Sequence, residues 1–127
     1  RIEAGLAAPV IRVGNLDARR DFLDARDVAD AYARVVLHSS ELAPNTIFNV
    51  ASGLSWRMRD ILDLLLARSS ARIATEQDPL RLRPSDLPCI VGDATRARTL
   101  LGWTPEHSFE DTLSAVLEDC RARVSQA

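Results

Sequence analysis

The chain contains no lysine: all sixteen of its basic side chains are arginine. That absence excludes several chemistries at once. A Walker-type phosphate loop needs its lysine, a Schiff-base enzyme needs one, and a Tyr-x-x-x-Lys pair needs one. Cysteine is almost as scarce. Cys89 and Cys120 are too few and too far apart for a disulfide framework or a zinc knuckle, and are expected to be buried thiols in a reducing compartment. Two histidines, His38 and His107, have no further ligand at metal spacing. The five glycines are scattered, so no Gly-rich strand–turn–helix can be drawn. No apolar run approaches the ~20 residues of a membrane span, and no signal peptide is visible. A net charge of -2 gives no support to a nucleic-acid or membrane-surface partner. The expectation is a cytoplasmic protein of one domain, since 127 residues suffice for one real core. Residues 1–6 read as the end of a helix closed by Gly5, so the chain is expected to be a segment that begins mid-fold.

What is present alternates between the two periods of regular structure. Val10–Val13 is β-branched and reads as a strand, ended by Gly14-Asn15, which both tolerate positive φ. A loop carrying Arg19, Arg20 and Asp21 follows. Asp24 and Asp27 mark a helix start, and Val28, Ala31, Tyr32, Val35 and Val36 recur at helical spacing to about His38. Residues 46–50 read as a short buried strand closed by Ala51-Ser52-Gly53. Ser55 is expected to cap a helix with the face Met58, Ile61, Leu62 and Leu65. Residues 72–76 alternate weakly as an edge strand. Residues 77–88 hold three prolines and read as an ordered loop. Asp93 caps a short helix stopped by Gly102. Ser108 opens the last helix, with Leu113, Val116, Leu117, Cys120 and Val124 facing inward. Strands alternating with about four helices give the class α/β, with small mixed β elements.

Two clusters could carry chemistry. Arg20 in a loop leaving a strand is a good phosphate fork, planar and always charged. Arg83 and Asp86 sit three apart, with Pro84 stiffening the backbone between them. There a guanidinium could meet a diphosphate while the carboxylate accepts from two ribose hydroxyls. Taken singly, each cluster reads better as solvated surface charge or an exposed ion pair.

The ordered set of motifs is more specific. Arg20-Asp21-Phe22-Leu23-Asp24-Ala25-Arg26-Asp27-Val28 comes first, then Phe48-Asn49-Val50-Ala51-Ser52-Gly53. Arg83-Pro84-Ser85-Asp86 follows, then Gly92-Asp93-Ala94-Thr95 and Leu101-Gly102-Trp103-Thr104-Pro105. In order and spacing these resemble the C-terminal, nucleotide-sugar-binding part of the extended short-chain dehydrogenases/reductases (the NAD-dependent epimerase/dehydratase family), across essentially the whole chain. Gly14 to Asp21 is similar to the GDP-mannose branch, which holds GDP-4-keto-6-deoxy-mannose reductases and GDP-mannose 4,6-dehydratases. Phe22, the turn at 49–53 and Asp86 resemble the reductases more.

The resemblance implies that Arg20 and Arg83 hold the diphosphate of a GDP-sugar and Asp86 its ribose. Val13, Gly14 and Asn15 would line the nucleotide pocket. It implies a structural role for Asp27, and for Asp21 either orienting Arg20 or capping its own loop. Asn49, Ser52 and Gly53 would form a supporting turn, with Trp56, Trp103 and Phe109 in the core and no role for either histidine. No cofactor is expected on this chain alone. NAD(P) is implied for the intact enzyme, together with an N-terminal cofactor domain that is missing here and a homodimeric parent. The rival expectation is a truncated binding or assembly module without catalysis. An exposed apolar face around Ile2, Leu6 and Val10, or along 28–36, would favour the missing-domain reading.

Overall fold

The structure, a computed structural model, describes residues 1–82 and 87–126. Two small sheets organise it. β1 (Val10–Val13) pairs in parallel with β4 (Ala74–Gln77), Val10 opposite Ala74. β2 (Arg19–Asp21) is the centre of the other sheet. It lies antiparallel to β3 (Ser55–Arg57) and parallel to β5 (Cys89–Ile90). Around them, among the described residues, lie α1 (Ala25–Leu37), α2 (Met58–Ala67), α3 (Thr95–Leu101), α4 (Phe109–Ser125) and a 3-10 turn at Pro79–Arg81. The class is α/β, as expected.

Local chemistry sets most boundaries. Asp24 caps α1, accepting from the Arg26 N–H at 2.8 Å, and Ser108 caps α4 through the Asp111 N–H at 3.1 Å. Asp93 accepts from Thr95 N–H at 2.8 Å, and Gly102, at φ 58°, ends α3 in the left-handed conformation. The first residues close as a helix end closes: Leu6 N–H donates to Arg1 C=O and Gly5 N–H to Ile2 C=O. Glu3 then ties this turn to Arg121 of α4 at 2.7 and 2.8 Å and to Ser70 N–H at 2.8 Å.

The core is built mainly from small residues. Ala31, Ala51, Ala94 and Ala97 let α1 and α3 approach closely around Leu101 and Trp103. Trp103 is fully buried, and its indole N–H donates to Asp27 C=O at 3.0 Å. Burying a ring of that size and satisfying its one donor stabilises the junction by roughly 3 kcal/mol.

The structure corrects several expectations. The Arg19-Arg20-Asp21 loop is a strand, because ladders on both sides fix it. Ser55 does not cap α2; it belongs to β3, and its hydroxyl accepts from the Arg19 guanidinium at 3.0 Å. Residues 46–50 make no ladder among the described residues, although Phe48 and Val50 do pack on the core. The edge strand falls two residues later than expected at its start. Of the expected apolar face of α1, Ala31 lies in the core and Val35 packs on it, while Tyr32 and Val36 are 66% and 72% exposed. Val116 and both cysteines are exposed too, so neither thiol is a core residue. No helix among the described residues is long and apolar enough to cross a membrane.

Candidate functional site

β1 ends against the 3-10 turn, and this contact builds a pocket. A Cβ placed on Gly14 would lie 2.5 Å from the Arg81 carbonyl oxygen, so only glycine admits the approach. Its φ is not positive, nor is that of Asn15; close approach, not a left-handed turn, is what position 14 requires. Asn15 turns the chain through its side-chain oxygen, which accepts from Asp17 N–H at 2.9 Å. The turn beyond β4 is fixed to the same strand, since Asp78 N–H donates to Val13 C=O at 2.8 Å.

Val13, Gly14, Asn15 and Arg20 thus line one open pocket of about 470 Å³. Leu16, Ala18, Phe22, Met58 and Arg81 complete its described wall. The sequence reading brought the first four together and missed Arg81. Its signal was Gly14, whose partner across space no local pattern reveals. Arg20 is oriented by the fold: its Nη1 donates to the Arg19 and Leu87 carbonyls, both at 2.8 Å. Arg83 and Asp86, the other expected ligands of a diphosphate and a ribose, lie outside the described residues. The residues flanking them do reach the site, Arg81 as pocket wall and Leu87 as the acceptor of Arg20.

Asp21 does neither thing expected of it. Its carboxylate accepts from Ser52 N–H at 3.0 Å, Ser52 Oγ–H at 2.5 Å, Gly53 N–H at 3.0 Å and Gly92 N–H at 3.1 Å. It clamps the 51–53 turn and the residue after Val91 against β2. Burial pushes its pKa up, but the Ser52 hydroxyl and the three amides outweigh that and hold it below the usual carboxylate value. Asn49 donates to Asp93 C=O at 3.2 Å, tying the segment before the turn to the one before α3.

Asp27 is structural. It is buried and accepts from Glu106 N–H at 3.1 Å, His107 N–H at 3.3 Å and the His107 ring at 2.7 Å. Burial raises its pKa, and these bonds reverse the shift to a net lowering. Trp103 is core, but Trp56 and Phe109 are not: they stack at 4.4 Å and, with Phe22, wall a second cavity of about 260 Å³. Phe22 is shared with the first pocket, so the two lie side by side along β2. Among the described residues no group of three His, Cys, Asp or Glu could hold a metal ion.

With this geometry in hand, comparison places the chain. A family profile described as GDP-mannose 4,6 dehydratase matches residues 1–116. The chain is 34% identical over 126 residues to a GDP-6-deoxy-D-mannose reductase of Pseudomonas aeruginosa, covering 99% of this chain and 40% of that protein. It is 32% identical over 109 residues to a GDP-6-deoxy-D-talose 4-dehydrogenase of Aggregatibacter actinomycetemcomitans, covering 86% of this chain and 35% of the relative. It superposes with a TM-score of 0.85 and 32% identity on the structure of RMD from Pseudomonas aeruginosa complexed with NADPH, over 97% of this chain and 39% of the other. It therefore spans about two-fifths of the length of these relatives. The chain belongs to the GDP-mannose 4,6-dehydratase family, in the GDP-mannose branch of the extended short-chain dehydrogenases/reductases.

Proposed function

We propose that residues 1–127 form a single nucleotide-sugar-binding domain. In the intact enzyme it presents a GDP-sugar for reduction of its C4 ketone, the substrate being GDP-4-keto-6-deoxy-mannose and the reductant a nicotinamide cofactor. The observation that carries this reading is the pocket in which Val13, Gly14, Asn15 and Arg20 converge. An apolar wall suits a base, and a guanidinium beside it suits a diphosphate. Arg83 and Asp86 are proposed as the further diphosphate and ribose ligands. The chain's own residues do not fit the pyrophosphate of a dinucleotide, since no described helix begins on a Gly-rich turn after a strand; nor do they supply a Tyr-x-x-x-Lys pair, since the chain has no lysine. We assign it no catalytic residue. Its contribution is binding and orientation, which can carry several kcal/mol of a barrier. Of the faces that could have been left bare, α1 exposes Tyr32, Val36 and Leu37 while Ile2 and Val10 are half-buried, so the α1 face is the one that supports a further covering domain in the parent. The same portion of a dehydratase is the second reading, favoured by the family profile that matches residues 1–116.

Titration of the chain with GDP tests the pocket. With part of the wall absent, binding at roughly millimolar Kd is expected, abolished in Arg20→Ala. NADPH should give no saturable signal. Unchanged GDP affinity in Arg20→Ala would refute the site. In the intact enzyme, one-for-one consumption of NADPH with the 4-keto sugar supports the reductase. Conversion of GDP-mannose without added reduced cofactor would promote the dehydratase.

A further inference from the structure

We propose that Arg81 is a second phosphate-holding arm of the pocket, parked on Asp78 and transferred to the diphosphate when nucleotide binds; this rests on the nucleotide reading above. Among the described residues, Arg20 and Arg81 are the charged residues of the pocket wall, and no carboxylate lines it. They come from different elements, Arg20 from β2 and Arg81 from the 3-10 turn. The backbone beneath Arg81 is fixed three ways. Its carbonyl abuts Gly14, its N–H donates to Asp78 C=O at 3.0 Å, and Asp78 N–H is bonded to β1. Asp78 also caps the turn through the Leu80 N–H at 3.0 Å. The side chain is free to swing where the backbone is not. Its Nε meets Asp78 Oδ2 at 3.3 Å while 61% of the side chain is exposed. An exposed i, i+3 pair is weakly held. A diphosphate offers a planar fork more oxygens and more charge than one carboxylate does, so the exchange runs toward nucleotide.

The test is a chemical-shift titration of the 127-residue chain with GDP, GMP and guanosine. Arg81→Ala should weaken GDP about tenfold and leave guanosine unchanged, with Arg81→Lys recovering part of the loss. Asp78→Asn keeps an oxygen for the Leu80 amide while removing the competing charge, and should tighten GDP by about two- to threefold. Equal GDP affinity in wild type and Arg81→Ala overturns the role of Arg81 while the Arg20 pocket stands. Parallel losses of GDP and guanosine also overturn it, because a displaced turn rather than a lost phosphate contact would then be the cause. Weaker GDP binding in Asp78→Asn removes the parking role of Asp78. Absence of any saturable GDP signal in wild type sinks the pocket itself.

Discussion

Asp21→Asn is the sharpest test of how the site is held. The native carboxylate serves four donors, with Ser52 on one oxygen and the Gly53 and Gly92 amides on the other. Asparagine offers one oxygen. If that oxygen stays with Ser52, the amide NH2 points at the Gly53 and Gly92 N–H groups, and donor faces donor. At about 1–1.5 kcal/mol for each lost bond to a charged acceptor, in a site water can partly enter, the cost is about 2–3 kcal/mol. Unfolding entropy of roughly 2 cal/mol/K per residue over 127 residues makes that a fall of about 10 °C in Tm. Ser52→Ala, which removes one donor and leaves its backbone bond, should cost about 1 kcal/mol. The pH dependence carries a sign. The Asp21 pKa is depressed below the ordinary aspartate value. Its contribution is therefore full above that value and lost as pH falls through the folded pKa. The variant has already lost it, so the stability gap should shrink below about pH 4. Urea denaturation followed by circular dichroism from pH 6 to pH 3 reads both effects. A midpoint shift worth less than about 0.5 kcal/mol at pH 6, or a gap that persists unchanged to pH 3, would refute the clamp.

Two further substitutions probe the elements around it. Gly14→Ala puts a methyl 2.5 Å from the Arg81 carbonyl; the 3-10 turn must move, with a loss of about 1–3 kcal/mol and of the GDP shifts at Arg20, and a variant as stable as wild type would show that the approach is looser than described. Trp103→Phe removes the donor to Asp27 C=O and part of a fully buried ring, so thermal melts should register a loss of about 2–4 kcal/mol; retention of stability would mean the core repacks around the smaller ring.

The elements that were legible in the sequence are those whose ends are fixed locally. Asp24, Gly102 and Ser108 mark helix boundaries through bonds to residues two or three away or through their own φ. Asp93, expected to cap α3, sits one residue before its N-cap Ala94 and turns the chain into it through Thr95 N–H. β2 was not legible because nothing in Arg19-Arg20-Asp21 prefers a strand. Its conformation is dictated by ladders to residues 55–57 and 89–90, 34 or more positions distant. The same ladder withdraws Ser55 from the helix it was expected to cap. Tyr32 and Val36 have the right spacing for a core face, but α3 meets α1 at Ala31 and Val35 instead, and spacing cannot say which side a neighbour covers. In the site, the loop signals at Val13, Gly14 and Asn15 and the fork at Arg20 were readable one by one. Arg81 was not, since its only mark is the glycine it touches 67 residues earlier in the chain.

The arginines of a chain without lysine do structural work as well. Some carbonyls at helix ends and in segments between elements lie outside the two ladders. Guanidinium groups take them up. Arg34 donates to Gly102 C=O at 3.1 Å, Arg96 to Ile47 C=O at 3.0 Å, Arg98 to Ser52 C=O at 3.2 Å, and Arg121 to Arg68 C=O at 2.8 Å. Two do so while holding a carboxylate with another nitrogen: Arg34 holds Asp30 at 2.6 Å and Arg121 holds Glu3 through Nε at 2.8 Å. A planar fork with five donors can serve a carbonyl and a carboxylate at fixed angles; an ammonium on a flexible stem cannot hold both in one geometry. The acids answer from the other side: Asp21, Asp24 and Asp27, three apart along β2 and α1, reach Ser52, Thr112 and His107 in three separate segments. The stretch from Arg19 to Asp27 is thus the place where distant loops are tied down, and Arg20 faces the pocket from the strand that those ties immobilise.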